Sequence, residues 1–383
     1  MKFLKKFLKW VIISAGSIII LLYIFGYGYV LRGIKIVYFT GHTTAFIDDY
    51  PYFENDTIKK GKHVDAWPKH NDYNSVSETD KLNQTHSELG TIAYLIIKND
   101  SIWFEKYYGG FGKNSKTNSF SIAKSITCAL LGKAIKEGYI QGLDQPLSDF
   151  YPQFSYAKTT VGDLASMASG LEWVEHYKNP LSITARANYS SNLEDIMLDR
   201  KITGTPGQGF VYKSGNTQLL GMVIQKATGK KLANYLSESF WQPMGMSEDA
   251  LWQLDDKDNR MAKAFTAISS NARDFARFGK LYKDFGRWNG QQLLDSSFVA
   301  TSIAPRFPED PRYGYGFWLK KIKDKNFFMM RGHLGQYVIV EPNDNIIIVR
   351  LGHRKGPGNP IANFTSDITV YIEEAYKMLS SKS

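Results

Sequence analysis

Strand-like residues occur in two regions of this chain that lie roughly two hundred positions apart, and this spacing limits the possible folds more than any other feature. "GTIAYLIIKND" and "SIWFEKYYGG", from Gly90 to Gly110, meet at Asn99 and Asp100, a pair suited to a tight hairpin. Strand character returns only after about Pro305, in "YGYGFWLKKI", "NFFMMRG", "GQYVIVEP" and "NIIIVRLG", with "PNDN" as a turn between the last two. The stretch from Ser125 to about Pro305 is mostly helical in pattern: "VGDLASMASG", "NTQLLGMVIQKATG", "KLANYLSESFW" and "NARDFARFGKLYKDFG", closed by Gly in the way helices often end. A last amphipathic run, "DITVYIEEAYKML", suits a helix covering one face of a sheet. The expected fold is therefore α+β. An antiparallel sheet formed by both ends of the domain is flanked by helices and carries an inserted, mostly helical lobe, with a cleft between sheet and lobe. At 383 residues and 43% hydrophobic, the chain can bury a substantial core, and it holds no internal repeat or low-complexity tract.

Ahead of this body lies "MKFLKKFLKW", with Lys2, Lys5, Lys6 and Lys9, and then an uncharged run from Trp10 to Leu31. As a helix that run spans a hydrocarbon core of about 30 Å. The lysines before it outnumber Arg32 and Lys35 behind it, so the N-terminus is expected in the cytoplasm and the body outside it, periplasmic or extracellular. The run is long for a signal-peptide core and no small-x-small cleavage site follows, which favours an uncleaved single-pass anchor. The expected division is 1–35 as cytoplasmic tip and transmembrane anchor, 36–88 as an irregular connector with Pro51 and Pro68, and 89–383 as the domain.

Composition removes several function classes. The net charge of +10 could suit nucleic acid, but beyond the first cluster the basic residues are scattered. No zinc-finger spacing, RNP-like segment or long Lys/Arg run appears, so no nucleic-acid partner is expected. The lone Cys128 can form no internal disulfide and reads as a small buried hydrophobe. Seven dispersed histidines include no His-x-x-x-His pair, so no metal or cofactor is expected, and no Gly-x-Ser-x-Gly elbow exists.

One pair stands out. Ser121 precedes Lys124 by three residues at the mouth of the apolar helix "SIAKSITCALLGKAIKEGYI". Positions i and i+3 share a helix face, so the amine can reach the hydroxyl. A serine alcohol becomes a nucleophile when a base takes its proton, and a lysine desolvated by neighbours such as Ile122, Ala123, Ile126 and Leu130 can be that base. Read plainly, Ser121 is a helix cap and Lys124 a solvated lysine. A second Ser-x-x-Lys, Ser155 to Lys158, follows Pro152, precedes no long apolar helix and reads as chance.

Partners for the pair can be found downstream. Tyr212-Lys213-Ser214, just before a helix, offers a phenol able to exchange protons with serine and leaving group if a nearby ammonium favours its phenolate. Ser214-Gly215-Asn216 is a weaker version of the same element, and Tyr212 also reads as a packed aromatic. His333-Leu334-Gly335 stands immediately before a strand, where Gly would let substrate approach the backbone; the N–H of Gln336, opposite that of Ser121, would complete an oxyanion hole. Trp173, Glu175 and Tyr177, in "LEWVEHYKNP", are expected to overhang the cleft, or simply to pack.

With these elements, "SFSIAKS", "TVGDLASMASGLEW", "PGQGFVYKSGNTQLLG", "NARDFARFG", "GRWNGQQLL", "YGYGFW" and "GHLGQYVIVEP" run in order between Gly90 and Met378. In this the chain resembles the serine β-lactamase and penicillin-binding protein superfamily, near class C β-lactamases, D-alanyl-D-alanine carboxypeptidases and family VIII esterases, and most of all the 6-aminohexanoate-dimer hydrolase group. The resemblance implies that Ser121 attacks, that Lys124 and Tyr212 move protons, and that His333 with Gly335 lines the strand side of the oxyanion site. Two departures count against an efficient β-lactamase: Tyr-Lys-Ser stands where Tyr-x-Asn is usual, and His-Leu-Gly where Lys-Thr-Gly is usual. The implied activity is hydrolysis of a small-molecule or peptide-like amide or ester. The alternatives are a β-lactamase, a D-alanyl-D-alanine carboxypeptidase, or a cell-envelope penicillin-binding sensor without turnover.

Overall fold

A computed structural model describes residues 1–358 and 364–381. The chain begins with α1 (Lys2–Ile24), α2 (Gly28–Val37), β1 (Asn55–Ile58) and α3 (Asp80–Leu89). The hairpin β2 (Thr91–Lys98) and β3 (Ser101–Tyr107) follows, then β4 (Thr117–Asn118) and α4 (Ile122–Lys136). The middle holds α5 (Val161–Ala165), α6 (Ile183–Tyr189), α7 (Leu193–Leu198), α8 (Ser214–Thr228) and α9 (Leu232–Leu236). It continues through β5 (Ala250–Gln253), β6 (Ile268–Ser270), α10 (Ala272–Lys283), a small hairpin of β7 (Arg287–Trp288) and β8 (Gln291–Gln292), and α11 (Ser296–Ser302). The chain closes with β9 (Trp318–Ile322), β10 (Lys325–Gly332), β11 (Gln336–Glu341), β12 (Ile346–Gly352) and α12 (Ser366–Ser380).

The main sheet has the order β3-β2-β12-β11-β10-β9, antiparallel throughout, so the two ends of the domain do meet: β2 pairs with β12, with Ile96 opposite Ile348. At the expected hairpin, Asn99 and Asp100 both take positive φ, 50° and 60°, as the central residues of a two-residue turn require. Both faces are buried, which is why these strands read as nearly continuous apolar runs. Leu95, Ile97, Val338, Val340, Ile347 and Val349 face the core shared with α4 and α10, while Tyr94, Ile96, Ile339 and Ile348 face the core shared with α12. Among the helices, α8 ends at Gly229 with φ 66°, and α10 begins at Asn271, whose side chain accepts from Asp274 N–H. "VGDLASMASG" yields only the five residues of α5, because Met167 turns to φ 63° two residues later.

The mostly helical lobe also carries a second, four-stranded sheet of β1, β5, β6 and β4. Its strands are two to four residues long, and its outer strands pair across long separations, Thr117 with Ser270 and Asn55 with Gln253, so no local alternation announces them. Two expectations need correction. First, the stretch 36–88 is not wholly irregular, since it supplies β1 and α3. Second, the apolar run Trp10–Leu31 is not one helix. It breaks at Phe25–Tyr27, where Gly26 takes φ 74°, and α2 then lies on the domain, burying Tyr29, Ile36 and Val37, with Arg32 donating to Asp255 O at 2.6 Å. What remains, α1, is exposed along its length and is long and apolar enough to cross a membrane; a signal sequence meets the same description.

Candidate active site

The loop between β4 and α4 sets the geometry. Phe120 takes φ 47°, unusual for a side chain of its bulk, and its N–H is held by Asn118 Oδ1 at 2.8 Å. Ser121 follows at the N-terminal end of α4, and one turn on, Lys124 Nζ lies 3.0 Å from Ser121 Oγ and 2.7 Å from Phe265 O. Lys124 is 2% exposed, with the Phe265 and Tyr212 rings 5.6 Å and 5.1 Å from its Nζ. Burial lowers its pKa to about 8, against the pull of the Glu175 charge, so a useful share of it is neutral amine near physiological pH. Such an amine can accept the hydroxyl proton.

Tyr212 is packed against Trp318 and Tyr313, at 5.3 Å and 6.4 Å between ring centroids. Burial holds its pKa well above the ordinary phenol value, with Glu175 adding to the rise and the nearby Ser121 hydroxyl and Arg331 opposing it. The phenolate, which the sequence allowed only if a nearby ammonium favoured it, is therefore disfavoured. Lys213 turns away to donate to Leu171 O at 2.6 Å. Ser214 gives both its N–H and its hydroxyl to Glu175, each at 2.7 Å, and Trp173 Nε1 donates to the same carboxylate at 2.9 Å. Trp173 is thus a buried support for Glu175 and lines neither of the cavities at Ser121.

On the sheet side, β10 ends at Gly332, where a Cβ would overlap Ser119 O, so only glycine lets this strand abut the loop before Ser121. His333 follows, its ring edge-on to Phe120 at 5.5 Å and stacked on Tyr177 at 5.4 Å. Burial, with Lys355 nearby, lowers its pKa to about 4, so it is a neutral imidazole. Gly335 and Gln336 were expected at the cleft and lie behind it. Gly335, at φ 85°, is packed on the Arg350 guanidinium, which donates to Leu334 O and Gly335 O at 3.0 Å and 2.9 Å. Gln336 is wholly buried, with its side chain bridging both backbone groups of Gly352. The glycine of close approach is Gly332.

Two cavities open on Ser121, Tyr177 and His333, one of about 70 Å³ and one of about 330 Å³. The smaller adds Lys124 and Ser214; the larger adds Tyr212, Glu175, Arg331 and Lys355. Sequence reasoning did not single out Arg331 or Lys355, and took Glu175 only as part of an overhanging segment. An acid between Trp173 and Tyr177 was the one available signal. Among the described residues, no group of His, Cys, Asp and Glu could hold a metal ion.

The Beta-lactamase family model matches residues 79–367, well over half of the chain. A 6-aminohexanoate-dimer hydrolase of Paenarthrobacter ureafaciens is 24% identical over 303 residues, covering 72% of this chain and 76% of that protein. Protein Flp of Staphylococcus aureus strain N315 is 26% identical over 211 residues, 49% of this chain and only 41% of Flp. A solved structure from Bacillus anthracis, provisionally named 6-aminohexanoate-dimer hydrolase, superposes with a TM-score of 0.73 at 22% identity, covering 86% of this chain and 90% of its own. A penicillin-binding protein of Bacillus halodurans gives 0.58 at 16% identity, over 71% and 95% of the two chains. With the family model matching most of its length, the chain belongs to the Beta-lactamase family.

Proposed function

We propose that this protein hydrolyses an amide or ester through an acyl-enzyme on Ser121. Ser121 Oγ attacks the carbonyl carbon while its proton passes to the neutral Lys124 amine. The resulting oxyanion is held by two backbone N–H groups. The Ser121 N–H, at the start of α4, is one; the second is assigned to His333 rather than Gln336, because His333 lines both cavities and Gln336 lines neither. Tyr212 protonates the departing amine or alcohol and takes a proton back from the Lys124 ammonium; the neutral Lys124 then accepts a proton from the water that attacks the acyl-serine and passes it to Ser121 Oγ as the acid leaves. The observation that carries this reading is the buried Lys124 Nζ, 3.0 Å from Ser121 Oγ. We assign α1 as a single-pass anchor with its N-terminus in the cytoplasm, on the lysines at its start.

A fluorophosphonate should label the wild-type protein at Ser121, and Ser121→Ala should abolish both labelling and nitrophenyl-ester turnover while leaving the far-UV CD spectrum intact. An unchanged adduct on the variant would rule Ser121 out. One observation keeps a second reading alive, that of a β-lactamase or D-alanyl-D-alanine carboxypeptidase. Arg331 and Lys355 supply, from other positions, the positive charge that His333 lacks, and a substrate carboxylate would be drawn to them. A chromogenic cephalosporin turned over far faster than a linear amide or ester would decide for it.

A further inference from the structure

Part of the wall beside Ser121 comes from outside the stretch that matches the family. Thr44, Ala45, Asp49 and Phe53 line the smaller cavity, yet the family match begins at residue 79. Asp49 is 3% exposed, and its Oδ1 accepts from Asn118 Nδ2 at 2.8 Å and from Gln253 Nε2 at 2.7 Å. The same short segment takes the Asn118 N–H on Ile47 O, at 2.6 Å. Asn118 then spends its Oδ1 on Phe120 N–H, so an unbroken series of bonds runs from Asp49 through Asn118 to the residue before Ser121.

That residue needs holding. Phe120 at φ 47° is a bulky side chain in a region of backbone space that it adopts only when its surroundings over-determine it, and such residues gather at functional sites. The direction in which the chain leaves Phe120 fixes where Ser121 Oγ lies relative to Lys124 Nζ. We propose that Asp49 is a positioning residue for the nucleophile: through Asn118 it locks Phe120 in its left-handed conformation and so keeps Ser121 aimed at Lys124. This rests on the reading of Ser121 as the nucleophile. Burial raises the Asp49 pKa to about 6, while the bonds from Asn118 and Gln253 and the buried Lys263 oppose the rise and Asp48 adds to it. Arg32 of α2 faces Lys263 in turn. The segment that joins the body to α1 is on this view a working part of the site.

The bonds, rather than the charge, do the positioning, which makes the idea testable. Both donors reach one oxygen, and an asparagine carbonyl can accept both. Full-length protein in nanodiscs would be compared for nitrophenyl-ester kinetics and for the rate of fluorophosphonate labelling. Asp49→Ala should lower kcat and the labelling rate together by about ten- to hundredfold, with little change in KM, as expected when a reacting atom is misplaced by about 1 Å or less. Asp49→Asn should stay within about threefold of wild type in both, since its carbonyl keeps both acceptor contacts. If Asp49→Ala does not fold, Asn118→Asp decides: it keeps the acceptor for Phe120 N–H but loses the donor to Asp49, and should lower kcat and the labelling rate together by about tenfold or more. Wild-type rates in Asp49→Ala or in Asn118→Asp, or an Asp49→Asn variant as slow as Asp49→Ala, would overturn the proposal. Absence of labelling in the wild type would instead overturn the nucleophile assignment, and this inference with it.

Discussion

The pH dependence of Ser121 reactivity tests the chemistry most directly, because it is set by one buried amine. Lys124 has its pKa lowered to about 8, whereas an unperturbed lysine titrates near 10.4. At pH 7 the buried amine is therefore about one-tenth neutral, against about one molecule in 2,500 for the ordinary lysine, an advantage of about two-hundredfold in available base. Only the neutral form accepts the serine proton, so the rate must rise with pH. It should increase about tenfold between pH 7 and pH 9 and then level off, because about nine-tenths of the amine is neutral by then. The assay is the labelling rate of the full-length protein by a neutral fluorophosphonate between pH 6 and pH 10. Glu175→Gln supplies a control of sign. The Glu175 charge favours the ammonium form, so removing it should move the inflection to lower pH and speed labelling at pH 7. A rate indifferent to pH, one that keeps climbing beyond pH 9 without a plateau, or an inflection moved upward in Glu175→Gln would refute the assignment of Lys124 as base.

Gly332→Ala should reduce kcat by about a hundredfold or more, the cost of losing an oxyanion donor, because the new Cβ meets Ser119 O and pushes the end of β10 away from Ser121; steady-state kinetics with a nitrophenyl ester would measure it. Arg350→Met should destabilise the fold by about 3 kcal/mol or more in urea titration, since it leaves the carbonyls of Leu89, Leu334, Gly335 and Arg354 without their buried donor. Cys128, buried in α4 with its pKa pushed up to about 12, should resist maleimide in the native state and react only on unfolding.

Much of this was legible in the chain itself. The strands of the main sheet announce themselves because both their faces are buried, and α4, α8, α10 and α12 because their apolar periodicity is sustained over twelve or more residues. Ser121 and Lys124 could be paired from spacing alone, since a single helical turn brings them together wherever the helix lies. Reading His333-Leu334-Gly335 by motif put the close-approach glycine three residues too far along. Two glycines flank the turn, and only packing distinguishes Gly332, which abuts Ser119, from Gly335, which abuts Arg350. Glu175 was visible as a residue and not as a partner of Ser214, 39 positions away.

The sequence by itself determined the local periods, the hairpin at Asn99-Asp100 and the reach of an amine to a hydroxyl one turn earlier. Tertiary structure alone decided whether that amine is dry, through Phe265 O at a separation of 141 residues, and whether the hydroxyl is aimed, through Asp49 at a separation of 69 from Asn118. The physical reason is that dihedral preference and hydrophobic spacing act between neighbours in the chain, whereas desolvation and cross-chain hydrogen bonds depend on groups that only the finished packing brings within contact distance.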